Sequence, residues 1–191
     1  MILKILVLSG SNVGHKTEVA AKAILDILAK DQYSDHQVQF INLLDKEMDF
    51  ADGRNFLDYK GDTLEVAQAV MEADVLFIGT PIFQASIPAS LKNVFDLLPE
   101  KALEYKTVGI FVSSGSNRHY LIPELQLKPI LNYMKANVTP RYVYLSARDF
   151  TLNEISSDDV LLRLEQLVDE TLTLAKTYQE IQRIEDEKLG F

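Results

Sequence analysis

The 191-residue chain carries 19 basic and 28 acidic side chains, a net charge of −9 with pI near 4.8, which argues against a general binder of nucleic acid or of anionic membranes. It contains no cysteine, so disulfide frameworks, iron–sulfur clusters, thiolate metal sites and cysteine nucleophiles are excluded and any redox chemistry must come from a cofactor. A 47% apolar composition at this length suits one domain over residues 1–191. The first apolar run holds Lys4 and is too short for a signal segment, and no run approaches the ~20 residues of a membrane span, which predicts a cytoplasmic protein.

In chain order, Ile2–Leu8 is a short Val/Ile-rich run of the kind that forms a buried parallel strand, and Thr17–Leu28 has helical periodicity. Gln37–Ile41 alternates weakly and reads as a strand nearer a sheet edge. The connection from about Asn42 to Asp62 is longer than most loops in compact domains; it serves a site or an interface, or else is mobile surface. Leu64–Glu72 is helical, Ala73–Gly79 a second buried strand, Ile87–Leu97 a helix, Thr107–Val112 a third buried strand, Leu121–Lys135 a helix and Arg141–Leu145 a second edge-type strand. From Ser157 to about Lys188, Val160, Leu164, Leu167, Val168, Leu172, Ala175, Tyr178 and Ile181 recur at helical spacing and predict a long closing helix, or two in line; its end, Ile181–Phe191, mixes charged and apolar residues and packs on a partner subunit or frays. Strand and helix alternate five times, so the class is α/β with a parallel sheet covered on both faces.

In such a sheet, ligands sit at the carboxyl ends of the strands, beside the point where strand order reverses. After the first strand comes Ser9-Gly10-Ser11-Asn12-Val13-Gly14-His15-Lys16-Thr17. It lacks both the dinucleotide Gly-x-Gly-x-x-Gly and the triphosphate Gly-x-x-x-x-Gly-Lys-Ser/Thr patterns. It offers hydroxyls at Ser9, Ser11 and Thr17, the Asn12 amide, nitrogens at His15 and Lys16, and the N–H groups of a helix start, a set suited to one dianionic monophosphate; as a plain polar turn, Thr17 would be its helix cap.

After the third strand comes Thr80-Pro81-Ile82-Phe83-Gln84, where Pro81 stiffens the chain, Phe83 can stack and the N–H groups of Ile82 to Gln84 stand ready for a planar heterocycle. After the fourth, Ser113-Ser114-Gly115-Ser116-Asn117-Arg118-His119 offers hydroxyls and N–H groups to a ring's carbonyl edge. A phospho-receiver reading fails, because Ser9 to Ser11 and Thr80 stand where acidic residues are needed. No Gly-x-Ser-x-Gly elbow is present and no metal-ligand spacing emerges; His36 reads as plain surface. One phosphate-type loop and two ring-type loops on one sheet edge fit a mononucleotide with a flat polar ring, namely FMN.

The run Thr80-Pro81-Ile82-Phe83-Gln84-Ala85-Ser86-Ile87-Pro88-Ala89-Ser90-Leu91-Lys92-Asn93 closely resembles the Thr-Pro-x-Tyr-x-x-Ser-x-Pro-x-x-Leu-Lys pattern of the flavodoxin-like NAD(P)H-dependent FMN reductases, and the likeness extends over nearly all of residues 1–150. Leu97–Leu103, Ser114-Gly115-Ser116 with His119, and Leu127–Leu131 resemble the branch that supplies reduced FMN to alkanesulfonate monooxygenases. The resemblance implies a three-layer α/β/α sandwich with a five-stranded parallel sheet of order 2-1-3-4-5. It also implies that Ser11, Asn12, His15, Lys16 and Thr17 take the FMN phosphate while Pro81 to Gln84 and Ser114 to Ser116 flank the isoalloxazine.

The implied chemistry is hydride transfer from nicotinamide C4 of NADPH or NADH to flavin N5, with N–H donors around Ser114 to Ser116 facing the charge that develops on the ring and no catalytic side chain in the strict sense. Arg118 and His119 are the nearest candidates for the nicotinamide nucleotide's phosphates. A homodimer or homotetramer and a flavin-dependent monooxygenase partner follow from the same resemblance. Two positions depart from the pattern: Asn12 stands where the family commonly has arginine, and Leu125 where the sulfonate branch has tyrosine.

Two other functions use the same elements: an enzyme that keeps FMN bound and reduces quinones, azo dyes or metal ions, and a flavodoxin-like electron carrier without nicotinamide activity. The net acidity is unevenly placed. Residues 1–30 have four basic and two acidic side chains, 75–148 eight and four, whereas 31–74 have three and eleven and 149–191 four and eleven, so all three proposed ligand loops lie in net-positive segments.

Overall fold

The computed structural model of the chain describes residues 2–189; Phe191 and Gly190, the end of the stretch expected to pack on a partner or fray, lie outside them. Strands β1 (Lys4–Ser9), β2 (Gln37–Asn42), β3 (Val75–Pro81) and β4 (Thr107–Ser113) pair in parallel, with β1 between β2 and β3 and β3 between β1 and β4. Every residue of β3 and β4 is buried, as their uninterrupted apolar composition demands, while β2 buries only its last two residues, as an edge strand does.

The fifth sheet position is split. β5 (Asn137–Val138) pairs with the start of β4 and β6 (Val143–Leu145) with its end. β6 falls within the strand expected over Arg141–Leu145, whereas β5 is a second piece that the sequence does not predict. Pro140 has no N–H to give to the ladder, and the chain turns there while Thr139 holds Val108 O through its N–H at 3.0 Å and its hydroxyl at 3.3 Å. The sheet nevertheless keeps the 2-1-3-4-5 order, and its reversal point falls between β1 and β3.

Side chains alternate across the sheet into two cores. Ile5, Val7, Val75, Phe77 and Phe111 meet Ala20 and Ile24 of α1 (Lys16–Leu28) together with Leu164 and Val168 of the long helix that closes the chain. Leu6, Leu8, Leu76, Ile78, Ile110 and Val112 meet Val66 and Val70 of α2 (Gly61–Glu72), Leu91 and Val94 of α3 (Ala89–Asp96), and Leu131 of α4 (Lys128–Tyr133). The closing helix, α5, runs Asp158–Leu189. The result is the three-layer α/β/α arrangement.

Prolines move the starts of two helices later than the sequence predicts. α3 begins at Ala89 rather than Ile87, because Pro88 sits extended at its N-cap. The stretch expected as one helix over Leu121–Lys135 opens instead with a wide π-type turn, Pro123–Leu127, before α4. Pro129 supplies no N–H to the carbonyl of Leu125 and its ring would crowd that carbonyl in a regular helix, so the wider turn relieves both problems.

The connection from Asn42 to Asp62 is held by named bonds. The Asn93 side chain accepts from Ala51 N–H and donates to Asp49 O, both at 2.9 Å; Tyr59 is fully buried with its hydroxyl on Asp52; and Asp62 accepts from Glu47 N–H at 2.8 Å. Asn93 closes the sequence block that begins at Thr80, so one motif residue fastens the longest loop to α3.

His36 is half-buried rather than plain surface, and its Nδ1 accepts the Leu3 N–H at 3.3 Å. Burial, with Lys176 nearby, holds its pKa below the usual histidine value, although Asp35 opposes the shift. A folded-state pKa below the unfolded one means that the unfolded chain takes the proton first as pH falls, so this site lends stability above about pH 6.5 and loses it below. Denaturation midpoints measured between about pH 5 and pH 7 should therefore fall with acidity more steeply in the wild type than in His36→Asn, whose Oδ1 accepts the same N–H without titrating; equal slopes would contradict this account.

Candidate functional site

The loop after β1 is shaped by a close approach. Gly10 N–H donates to Gly79 O at 2.8 Å, and a Cβ on Gly10 would stand 2.7 Å from that same oxygen. The Gly10 carbonyl accepts from Ser90 Oγ at 2.9 Å, which fastens the loop to α3. Ser11 closes a tight turn on itself, its hydroxyl donating to Val13 O at 2.7 Å and accepting from Val13 N–H at 3.2 Å. Gly14 then takes φ +74°, a left-handed conformation that few other residues adopt without strain.

His15, not Thr17, is the N-cap of α1, and it makes no side-chain cap bond. The first-turn N–H groups therefore face the cleft without a side-chain partner, an arrangement that favours an anion. Thr17 is buried and its hydroxyl pairs with Ser113 Oγ at 2.8 Å, which ties the first loop to the end of β4. His15 Nδ1 lies 3.1 Å from Glu18, and Lys22 Nζ 2.5 Å from the same carboxylate; Lys22 first and His15 second hold the Glu18 pKa below its usual value.

The loop after β3 spends most of the N–H groups that its sequence promised to a ring. Ile82 N–H donates to Ser113 O at 3.2 Å, and Phe83 and Ser86 exchange two backbone bonds at 3.0 Å. This corrects the expectation of three free donors: of Ile82, Phe83 and Gln84, only Gln84 keeps an N–H without a protein acceptor among the described residues. Between Phe83 and Ser86, Gln84 and Ala85 adopt φ 48° and 58°, the two-residue turn that normally calls for Asn-Gly. Phe83 remains 39% exposed, enough to offer a ring face.

The loop after β4 is similarly braced. Ser114 N–H donates to Leu145 O at 2.9 Å, Ser116 N–H reaches Ser114 Oγ at 3.5 Å, and Tyr144 hydroxyl donates to Ser116 O at 2.7 Å. Tyr144 and Tyr142 stand against Tyr120 with ring centroids 5.5 and 5.2 Å away, and burial pushes the Tyr142 phenol above the usual range. Gly115 is left with an N–H that no protein group takes among the described residues, and nothing stands within 4 Å of where its Cβ would be.

These three loops bound a cleft of about 300 Å³ lined by Val13, Gly14, His15, Lys16, Thr17, Pro81, Ile82, Phe83, Ser113, Ser114, Gly115 and Asn153. Eight of the sequence-predicted residues line it. Ser9, Ser11, Asn12, Gln84 and Ser116 do not: Ser9 is wholly buried with a hydroxyl that finds no protein partner among the described residues, Ser11 is occupied in its own turn, and Asn12 lies by Ser90. Ser116, Arg118 and His119 line an adjoining cleft that shares only Gly115 with the first.

Asn153 is the residue that sequence reading missed. It sits on a hairpin of β7 (Phe150–Thr151) and β8 (Glu154–Ile155), at φ 66° beside Leu152 at φ 49°, and Lys16 Nζ lies 5.5 Å from the Phe150 ring. An Asn after an exposed Leu between two short β-prone pairs was the available signal, too brief to stand out. Among the described residues no group of three or more His, Asp or Glu is placed to hold a metal ion, and no helix is long and apolar enough to cross a membrane.

A family model described as NADPH-dependent FMN reductase matches residues 3–150. The chain is 40% identical to an NAD(P)H-dependent FAD/FMN reductase of Geobacillus thermodenitrificans, over 86% of this chain and 89% of that one. It is 32% identical to the NADH-dependent FMN reductase SfnF of Pseudomonas fluorescens, over 58% of this chain and 59% of that one. Among solved structures, the apo form of the NADH:FMN oxidoreductase EMOB superposes with a TM-score of 0.71 at 28% identity, covering 87% of each chain.

Two substitutions test the local geometry. Ala85→Gly should stabilise the fold by about 0.5–1 kcal/mol, because glycine holds the left-handed φ without the Cβ penalty. Gly79→Ala should destabilise it by roughly 1–3 kcal/mol, because the new Cβ would stand 2.3 Å from the Phe111 ring. Urea unfolding midpoints decide both.

Proposed function

The chain belongs to the NADPH-dependent FMN reductase family, and from that premise we propose that it transfers a hydride from NADH or NADPH to FMN within the cleft at the carboxyl ends of β1, β3 and β4. The observation that carries this reading is the convergence of an uncapped helix N-terminus, a proline-stiffened edge and an open glycine on one cleft of about 300 Å³. Those features fit the flavin: the first suits a phosphate and the other two suit a flat ring. FMN, when bound, supplies the two-electron acceptor, so the protein needs no acid–base pair.

In this reading the first-turn N–H groups of α1 take the phosphate, with Lys16 and His15 adding charge, and Glu18 tempers His15 by competing for its ring. Ser11 and Asn12 shape the loop, Ser9 backs it, and Thr17 orients it through Ser113. Pro81, Ile82 and Phe83 form the rigid flank of the ring, with Gln84 at the turn. On the other flank, Ser114 and Ser116 are spent on holding the loop, which leaves the Gly115 N–H to meet negative charge developing on the ring.

We further propose that the protein works in the cytoplasm as a homodimer or homotetramer and hands reduced flavin to a flavin-dependent monooxygenase. The support for assembly is apolar surface: Tyr120, Leu121, Leu125 and Tyr133 are each 53–65% exposed along one stretch of chain, more than an isolated surface usually concentrates.

Purified protein should oxidise NADH or NADPH at 340 nm only when FMN is added or already bound; no turnover with either nucleotide would reject the assignment. FMN that leaves on gel filtration supports supply to a partner enzyme, whereas FMN retained through the column favours a resident flavin serving another acceptor. Sedimentation should give a mass of at least two chains, and Leu121→Lys/Leu125→Lys should lower it.

A further inference from the structure

The adjoining cleft holds about 660 Å³ and is lined by Gly115, Ser116, Asn117, Arg118, His119, Ser146 and Arg148. Among the described residues no carboxylate lines it. In a chain this acidic, that is a selective arrangement. The sequence has six arginines, and four of them pair with carboxylates: Arg54 with Asp52, Arg141 with Glu170, Arg163 with Asp159, and Arg183 with Glu180 and Glu187. The two that form no ion pair among the described residues, Arg118 and Arg148, both line this cleft.

The nearest acid in sequence does not neutralise them. Asp149 turns its carboxylate onto Ser146, accepting from the backbone N–H at 2.7 Å and the hydroxyl at 3.0 Å, and so fixes the turn that carries Arg148. Arg118 stands on a turn fixed by its own N–H to Ser116 Oγ at 3.4 Å and by Tyr144 on Ser116 O. Two guanidinium groups on braced turns, with His119 in the same lining, suit bidentate recognition of a phosphate's oxygens. The flavin's single phosphate has its own place at α1, with which this cleft shares no residue but Gly115, so these charges are surplus to FMN.

We infer that Arg118 and Arg148 form a second phosphate subsite, which holds a phosphate of the nicotinamide dinucleotide while its nicotinamide reaches the flavin cleft past Gly115. The inference rests on the reductase reading and deepens it. The phosphate is either the pyrophosphate, common to NADH and NADPH, or the 2′-phosphate, carried by NADPH alone. Arg148, which follows β6, is the residue that the sequence patterns did not offer.

Arg118→Ala, Arg148→Ala and the double variant, all at exposed positions, should raise KM about tenfold or more with kcat little changed, and FMN affinity, read by flavin fluorescence quenching, should stay within about twofold. A rise confined to NADPH assigns the 2′-phosphate, and an equal rise for NADH assigns the pyrophosphate. Unchanged KM for both nucleotides, or a matching loss of FMN affinity, would overturn the inference. Should the wild type turn over neither nucleotide, the reductase reading fails on its own. Calorimetric titration with 2′-phospho-ADP-ribose then decides the subsite: binding lost in the double variant upholds it, and binding equal in both proteins, or absent from both, rejects it.

Discussion

The cleft depends on one close approach, where the end of β1 meets the end of β3. Gly10 N–H bonds to Gly79 O at 2.8 Å, and both residues must be glycine for steric reasons: a Cβ on Gly10 meets that oxygen, and one on Gly79 meets Phe111 and Thr17. With the two strand ends this near, the first loop lies against α3, where Ser90 holds it. Thr17 then reaches across to Ser113 at the end of β4. The three loops are thus one interlocked edge, and their spacing is set by a backbone contact together with short, hydrogen-bonded hydroxyl side chains.

An edge braced in this way consumes its own donors. Ile82, Phe83, Ser114 and Ser116 use their N–H groups to hold the loops in place, so the groups left for a ligand are few: the first turn of α1, Gly115 and Gln84. Scarcity of this kind favours orientation, because a bound ring meets fixed donors in a fixed geometry without reorganising the protein. The same economy shapes the charge. Four of the six arginines are paired with carboxylates, and the two that form no ion pair among the described residues stand beside the cleft.

Much of this was legible in the residues. The uninterrupted apolar runs gave β1, β3 and β4, because strands buried on both faces have no reason to alternate. The block Thr80–Asn93 located the second loop, and its Asn93 also proved to fasten the long connection. The fifth strand falls within Arg141–Leu145, as its composition predicts, but the second piece at Asn137–Val138 is not legible, because Pro140 divides a pairing that depends on β4 and local composition does not report it. The π-type turn before α4 was missed for a related reason: Pro129 was visible, but whether a helix ends, kinks or widens at a proline is decided by what the freed carbonyl packs against.

The chain by itself determined the fold class, the sheet order implied by its resemblance, the three loops and the kind of ligand they suit, because periodicity, glycine placement and donor chemistry are local properties. Only the tertiary structure decided which donors remain free, since an N–H is spent or spared according to an acceptor distant in sequence, as Ile82 is by Ser113. It also brought Arg148 and Asn153 to the cleft edge. No pattern near Arg148 marks it and the signal around Asn153 is too brief to stand out, because each comes to line a cleft only beside loops that lie many residues away in sequence.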